Sequence, residues 1–235
     1  MDYYEKTENP YQSKQIIEGD SRFINIFEVI NTNLEIGSTI LDIGCGDLAI
    51  KNYLQNYKVF GIDVDKRFTN NVDIINHNLE TVPYPFKENN FDCVICSEVL
   101  EHLFYPEKVI QESYRVLKQG GILIITVPNY DSVDNLLNKH RISVYDKDNI
   151  FSVEHIRNYN LDSIFKLVKG GFDILTVKGN SPHMSNFFKD SRIVLGNFLA
   201  GHIKEVDSLM VDQLLGKMFI KDCPGILVAG VKRNT

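Results

Sequence analysis

The sequence lacks three features that would each point to a particular class of protein. It contains no run of about 18 apolar residues, so we expect no membrane-spanning helix. The opening residues, MDYYEKTENPYQSK, lack the basic start and apolar centre of a signal peptide. Acidic side chains outnumber basic ones by 31 to 25, and no clustered basic face is evident. These deficits predict a cytoplasmic protein without nucleic acid as a partner, because phosphate binding relies on many basic side chains.

Cysteine is also scarce, with four residues in the chain. Cys93 and Cys96 form a C-x-x-C pair, but no second pair exists to complete a zinc site. The pair lies within FDCVICS, an apolar run typical of a buried strand. We therefore interpret the cysteines as small core side chains. With no convincing cluster of acids either, the sequence predicts no metal site.

Most of the sequence alternates short apolar runs with stretches of helical periodicity. This alternation is typical of an α/β fold with a doubly wound, mostly parallel sheet covered on both faces. At 235 residues the chain suffices for one domain, 1–235. An amphipathic helix is predicted over about 13–32, within an N-terminal helical cap formed by 1–35. Further helices are predicted at 47–57, from Pro106 to a Gly120-Gly121 stop, and from Asn160. Seven strands are predicted, at 38–44, 58–65, 71–78, 91–97 and 121–128, before Asn180, and at 224–233.

Two longer segments, 128–158 and 181–223, interrupt this alternation and are predicted to be insertions. The second carries apolar residues at helical spacing. We expect both insertions to cover an acceptor site. Cover for the core and, for 181–223, a homodimer face are the alternatives.

The stretch ILDIGCGD, at the end of the first predicted strand, fits the loose glycine pattern of nucleotide-binding turns. Glycine lets a ligand approach the backbone closely. Asp63 ends the second predicted strand 19 residues after Gly44, where an acid can accept hydrogen bonds from ribose hydroxyls. A dinucleotide and S-adenosylmethionine both satisfy this pattern.

Two other acids favour a cationic ligand over a pyrophosphate. Asp47 lies where the next helix is predicted to begin, and there it would occupy the positive helix terminus that a pyrophosphate needs. Asp42 lies within an apolar strand, where a carboxylate is costly unless it is paired. A sulfonium with an α-amino group would give Asp42 a partner. The alternative is that Asp42 accepts amides of the glycine turn.

Four segments in order, ILDIGCGD, VFGIDVD, FDCVICSEVLEHL and ESYRVLKQGGILIITVPN, resemble the class I S-adenosylmethionine-dependent methyltransferases. The resemblance is to the small-molecule branch that contains the ubiquinone-biosynthesis-type enzymes, and it covers about residues 38–130. It implies a Rossmann-like sheet of seven strands with the last one antiparallel. It also implies S-adenosylmethionine as cofactor and S-adenosylhomocysteine as product.

The resemblance assigns cofactor-binding roles to several positions. The turn formed by Gly44, Cys45 and Gly46 lies beside the methionine part of S-adenosylmethionine. Asp63 binds the ribose, and Val64 lies against the adenine. Asn78 and Leu79 correspond to the loop at the adenine edge, although the family more often has aspartate at the first of these. We add Asp42, from its place in the strand, and Ser97, which ends the fourth predicted strand.

Candidates for a general base follow the fourth predicted strand. They are Glu98, Glu101 and His102, together with His155 from the segment EHIRNYN. His102 is preferred because histidine titrates near neutrality. The structural alternative is that Ser97 caps a helix, the acids favour its dipole and the histidines support the fold.

The sequence thus predicts an S-adenosylmethionine-dependent methyltransferase that acts on a small molecule, with oxygen as the expected acceptor atom. The Asn/Asp-Pro-Pro-aromatic signature of adenine or glutamine methyltransferases is missing after the fourth strand. A catalytically silent cofactor-binding member of the family and an NAD-dependent oxidoreductase are the rival hypotheses.

Overall fold

The computed structural model describes residues 20–68, 70–132, 155–180 and 220–233. Seven strands in these ranges form one sheet. In chain order they are β1 (Thr39–Ile43), β2 (Lys58–Asp63), β3 (Ile74–Asn76), β4 (Phe91–Ser97), β5 (Leu117–Pro128), β6 (Phe172–Asn180) and β7 (Gly225–Lys232).

The strand order across the sheet is β3-β2-β1-β4-β5-β7-β6. The pairs from β3 through β5 are all parallel. β7 lies between β5 and β6 and runs antiparallel to both. The predicted doubly wound α/β sheet and its antiparallel last strand are confirmed. The carboxyl ends of β1, β2 and β4 meet at one edge, which is where a doubly wound sheet binds ligands.

Within the described ranges, three α-helices accompany the sheet: α1 (Ser21–Asn33), α2 (Pro106–Val116) and α3 (Leu161–Val168). α1 begins where the Asp20 side chain accepts a hydrogen bond from the amide of Arg22, at 2.8 Å. α2 begins with a proline, whose missing N–H costs nothing in the first turn. Asn160 and Ser163 form a reciprocal capping box at the start of α3. Local sequence signals therefore set where each helix starts.

The helix predicted at 47–57 is not an α-helix in the structure. Only a short 3₁₀ helix, Ala49–Tyr53, is formed there. Leu48 before it has a left-handed backbone with φ 61°, which interrupts a continuous helical path. Asp47 still accepts a hydrogen bond from the amide of Ala49, at 3.2 Å, but it caps this short turn instead of an α-helix. The prediction that α2 would run to Gly120-Gly121 is also wrong, because β5 begins directly after Val116.

Apolar side chains cover both faces of the sheet. One cluster includes Leu41, Ile43 and Val94, and the other includes Ile40, Cys93 and Ile95. Residues of β1 and β4 thus alternate between the two faces, as expected for a central strand pair. Cys93 and Cys96 are free, fully buried cysteines, which confirms their interpretation as core side chains. No helix among the described residues is long and apolar enough to cross a membrane.

α1 packs near β6 and β7 through polar contacts. Nδ2 of the buried Asn25 donates a hydrogen bond to Oδ1 of Asn180, at 2.9 Å. Nζ of Lys178 lies 2.7 Å from a carboxylate oxygen of Glu28. The predicted N-terminal cap (1–35), the predicted insertions (128–158 and 181–223) and the predicted homodimer face fall largely outside the described residues and stay predictions.

Candidate active site

The glycine turn after β1 has two glycines in left-handed backbone conformations. Gly44 has φ 70° and Gly46 has φ 53°. A Cβ atom on Gly44 would lie 2.4 Å from Cγ2 of Val99, whereas a Cβ on Gly46 would meet nothing within 4 Å. The loop after β4 is therefore packed directly on Gly44. Gly46 leaves open space beside the turn, as a ligand that approaches the backbone requires.

Asp63 joins the end of β2 to this turn. Its Oδ2 accepts a hydrogen bond from the amide of Gly46, and its Oδ1 accepts one from the amide of Asp65, both at 2.8 Å. A carboxylate has about four acceptor positions, so two remain for ligand hydroxyls. The side chain of Val64, which is 42% exposed, follows directly. An acid and an apolar side chain therefore lie side by side next to the glycines.

Cys45 fills the space under the turn. Its Sγ lies so close to Gly61 that a Cβ atom added to that glycine would be only 2.4 Å from the sulfur. Burial raises the pKa of the Cys45 thiol above its usual range, and the charges of Asp42 and Asp63 add to the effect. The thiol therefore stays protonated, and Cys45 contributes packing and backbone instead of reactivity.

Asp42 is a buried carboxyl group in the middle of the sheet, paired in register with Gly61 of β2 and Ile95 of β4. It is 8% exposed. Burial and, to a smaller extent, the charge of Asp63 raise its pKa to about 8, against the opposing charge of Arg22. The group is thus largely protonated at neutral pH, and a nearby positive ligand would favour its ionised form.

This raised pKa predicts the sign of a pH effect on stability. The pKa of Asp42 is about 8 in the folded chain against 3.8 as the ordinary value, so folding takes up a proton between about pH 4 and 8. The free energy of unfolding should therefore fall as pH rises, by about 1 kcal/mol from pH 6 to 7. We expect Asp42→Asn to remove this part of the slope. Urea unfolding of both proteins at pH 5, 6 and 7 measures it, and parallel curves would contradict the prediction.

At the end of β4, three oxygen-bearing side chains form a hydrogen-bonded chain. Thr126 of β5 donates from Oγ1 to Oε1 of Glu98, at 2.8 Å, and pairs with Oγ of Ser97, at 2.9 Å. Glu98 has φ 54° and its Oε2 lies 4.0 Å from Nη1 of Arg22. Burial raises the pKa of Glu98, and Arg22 opposes that rise. Ser97 is thus bonded across the sheet, and the alternative that it caps a helix is wrong.

Three of the candidate base residues come together after β4. Glu101 and His102 lie in the 3₁₀ helix Leu100–His102, and His155 lies beside them although it is 53 residues further along the chain. One donor atom of each side chain lies within 4.8 Å of those of the other two. The imidazole rings of His102 and His155 meet edge to face, with centroids 5.0 Å apart. Glu98 is bonded instead to Thr126, so the four candidates form a group of three and a separate acid.

Asn78 and Leu79 follow β3 in a tight turn. Oδ1 of Asn78 accepts a hydrogen bond from the amide of Glu80, at 2.9 Å. Leu79 is buried, and its carbonyl accepts from the Tyr84 hydroxyl at 3.0 Å. The Asn78 side chain therefore stabilises its own turn, which places the backbone of these two residues beside the end of β3.

A family model described as a methyltransferase domain matches residues 41–125, from β1 into β5. The curated proteins that match include the ubiquinone/menaquinone biosynthesis C-methyltransferase of Haemophilus ducreyi, 29% identical over 116 residues, which are 48% of this chain and 38% of that protein. Over residues 41–125 the chain is therefore similar to a methyltransferase domain.

Two further curated relatives are each similar over about half of this chain. An uncharacterized protein of Methanocaldococcus jannaschii is 34% identical over 141 residues, 54% of this chain and 61% of that protein. The ubiquinone biosynthesis O-methyltransferase of Chromobacterium violaceum is 29% identical over 140 residues, 50% and 60% of the two chains. The matches span less than two thirds of each relative's length.

Solved methyltransferase structures share the fold over nearly the whole chain. A putative methyltransferase of Haloferax volcanii, in complex with the activator Trm112, has a TM-score of 0.61 at 15% identity, over 96% of this chain and 94% of that one. The phosphoethanolamine N-methyltransferase 2 of Haemonchus contortus, in complex with S-adenosyl-L-methionine, has a TM-score of 0.57 at 16% identity, over 100% and 60% of the two chains. At these identities the likeness concerns the fold.

Three residues of this candidate site were missed from the sequence. Thr126 bonds Glu98, and its only signal was a polar residue inside an apolar strand. Arg22 of α1 lies near Glu98, and the helical periodicity gave no sign that this helix reaches the site. Arg157 donates from Nε to the carbonyl of Leu103, at 2.9 Å, and so joins the two loops that carry the histidines. No pattern in the sequence marks that contact.

Proposed function

We propose that this chain binds S-adenosylmethionine and transfers its methyl group to a small-molecule acceptor, with an oxygen as the methylated atom. The observation that carries the proposal is the hydrogen bond between Asp63 and Gly46. It holds the acid at the end of β2 against the turn after β1, so that one ligand can contact both. The match to a methyltransferase domain over residues 41–125 supports the same function.

The residues present fit this cofactor. The open side of Gly46 and the remaining acceptor positions of Asp63 suit the ribose, and the exposed Val64 suits an adenine ring. We assign the backbone of Asn78 and Leu79 to the adenine edge. Asp42 is buried next to the glycine turn, and burial raises its pKa. A positively charged ligand suits this position, because a cation stabilises the ionised carboxylate. When bound, the cofactor supplies an electrophilic methyl group.

This chain's own contribution to methyl transfer is to bind, to orient and to accept a proton. Gly44 and Cys45 are proposed to line the methionine part, with Ser97 beside it. Transfer to a hydroxyl releases a proton, and Glu98, Glu101, His102 and His155 are the proposed acceptors for it. The curated relatives include both C- and O-methyltransferases. We favour oxygen because carboxylate and imidazole groups after β4 replace the Asn/Asp-Pro-Pro-aromatic signature of amino-group enzymes.

Calorimetric titration with S-adenosylhomocysteine tests the proposal without knowledge of the acceptor. We expect one binding site per chain and no heat with NADH under the same conditions. A chain that binds NADH and not S-adenosylhomocysteine would support the oxidoreductase hypothesis and overturn the proposal. The remaining outcome is a chain that binds S-adenosylhomocysteine and yet transfers no tritium from S-[methyl-³H]adenosylmethionine to any hydroxyl acceptor tested. That result would identify it as a catalytically silent, cofactor-binding protein. The predicted cytoplasmic location remains part of this proposal.

A further inference from the structure

The group formed by Glu101, His102 and His155 combines one carboxylate with two imidazoles. Their donor atoms lie within 4.8 Å of one another, and Nε2 of His102 is 3.8 Å from Oε1 of Glu101. The last distance is too long for a hydrogen bond. Two imidazole nitrogens and a carboxylate oxygen are a ligand set used for zinc and other first-row divalent ions.

Glu101 is the unusual member of this group. The residue is 1% exposed, and neither carboxylate oxygen has a hydrogen-bond partner among the described residues. An unsatisfied buried polar group is costly, and a carboxylate is more costly than a neutral group. A positive ion between Glu101 and the histidines would satisfy these oxygens and offset the cost of their burial.

The backbone holds the three side chains in place without any ion. The carbonyl of Glu101 accepts hydrogen bonds from the amides of Ile156 and Arg157, at 3.0 and 3.1 Å. The guanidinium of Arg157 donates in turn to the carbonyls of Leu103 and Phe104. The residue after His155 is therefore bonded to the residue before His102. Such a preformed arrangement lowers the ordering cost of binding a ligand.

We propose that Glu101, His102 and His155 bind a divalent transition-metal ion, with zinc as the reference case. The two imidazoles favour such an ion over Mg²⁺, which prefers oxygen ligands. Zinc binds nitrogen and oxygen at about 2.0–2.2 Å, so the donor atoms would have to close together by side-chain rotation. Three protein ligands leave a coordination position open. This step rests on the proposed function: the open position would receive the acceptor hydroxyl, and the ion would lower the pKa of that hydroxyl. With the ion bound, Glu98 is the remaining proton acceptor of the four candidates.

The test is metal binding by the full chain after treatment with EDTA and removal of the chelator. Co²⁺ is the spectroscopic probe, because a His-His-Glu site of low coordination number gives visible absorption, and calorimetry with Zn²⁺ gives the stoichiometry. We expect one ion per chain, and Mg²⁺ binding that is weaker by at least 100-fold. His155→Ala, at an exposed position, and the near-isosteric Glu101→Gln should each weaken Zn²⁺ binding by at least about 100-fold.

His77→Ala is the matched control, since His77 lies after β3 and its Nε2 pairs with the carbonyl of Thr81. It should leave Zn²⁺ affinity unchanged. Absence of a cobalt spectrum, affinity for Mg²⁺ equal to that for Zn²⁺, or Zn²⁺ binding that is unaffected by both site variants would each overturn the proposal. Titration of the metal-free protein with S-adenosylhomocysteine separates the two proposals, because loss of the metal site leaves the cofactor residues intact.

Discussion

Replacing Gly44 by alanine should lower the free energy of unfolding by about 2–5 kcal/mol. The alanine would have to adopt φ 70°, which costs an L-residue about 1–2 kcal/mol. Its Cβ would also lie 2.4 Å from Cγ2 of Val99, and such overpacking costs about 1–3 kcal/mol. Urea unfolding followed by circular dichroism measures the change.

Gly46→Ala is the control for backbone strain alone. Gly46 has φ 53° but no atom within 4 Å of the added Cβ, so this variant should lose only about 1 kcal/mol. The double variant Gly44→Ala/Val99→Ala should recover part of the Gly44→Ala loss, because it removes the clashing methyl groups. Equal losses in the two glycine variants, or no recovery in the double variant, would show that the contact with Val99 is unimportant.

Replacing Asp63 by alanine should weaken S-adenosylhomocysteine binding by about 1.5–3 kcal/mol, which is roughly 10- to 150-fold in Kd. The loss reflects hydrogen bonds from ribose hydroxyls to a charged acceptor. Alanine also deprives the amides of Gly46 and Asp65 of their acceptor. Asp63→Asn should therefore be measured beside it, because the asparagine oxygen can still bond one of these amides. Calorimetry on both variants gives the affinities.

Asp65→Asn provides the matched control for charge. It makes the same change in net charge two residues away, at a carboxylate bonded to Arg67. We expect its affinity for S-adenosylhomocysteine to stay within about twofold of the unchanged protein. If Asp63→Asn and Asp63→Ala both bind S-adenosylhomocysteine with wild-type affinity, a residue other than Asp63 must bind the ribose.

The sheet and the glycine turn beside Asp63 were predictable because their signals are local. Parallel strands buried on both faces appear as continuous apolar runs, and Asp42 near the end of β1 and Asp63 at the end of β2 stand out against them. The 3₁₀ helix after the glycine turn was not predictable in the same way. Apolar spacing there favours an α-helix, but the left-handed backbone of Leu48 interrupts the helical path.

The assembly of Glu101, His102 and His155 could not be predicted from local pattern. His155 lies far along the chain, and it reaches the others through hydrogen bonds between backbone amides and the carbonyl of Glu101. Backbone contacts of this kind leave no signature in side-chain periodicity. The sequence-based expectation of no metal site considered paired cysteines and clustered acids. Our metal proposal departs from it because folding adds two imidazoles to one acid.

The position of β7 has a consequence for how this sheet is synthesised. β7 is the last described strand in the chain, yet it lies between β5 and β6 and pairs with both. During translation, β1 to β5 can associate as soon as they emerge, but β6 has no neighbour until β7 arrives. One edge of β5 therefore stays unpaired until then, and an open edge invites pairing with other chains. A chain that is released before Gly225 is made would therefore hold β1 to β5 in a sheet with one open edge.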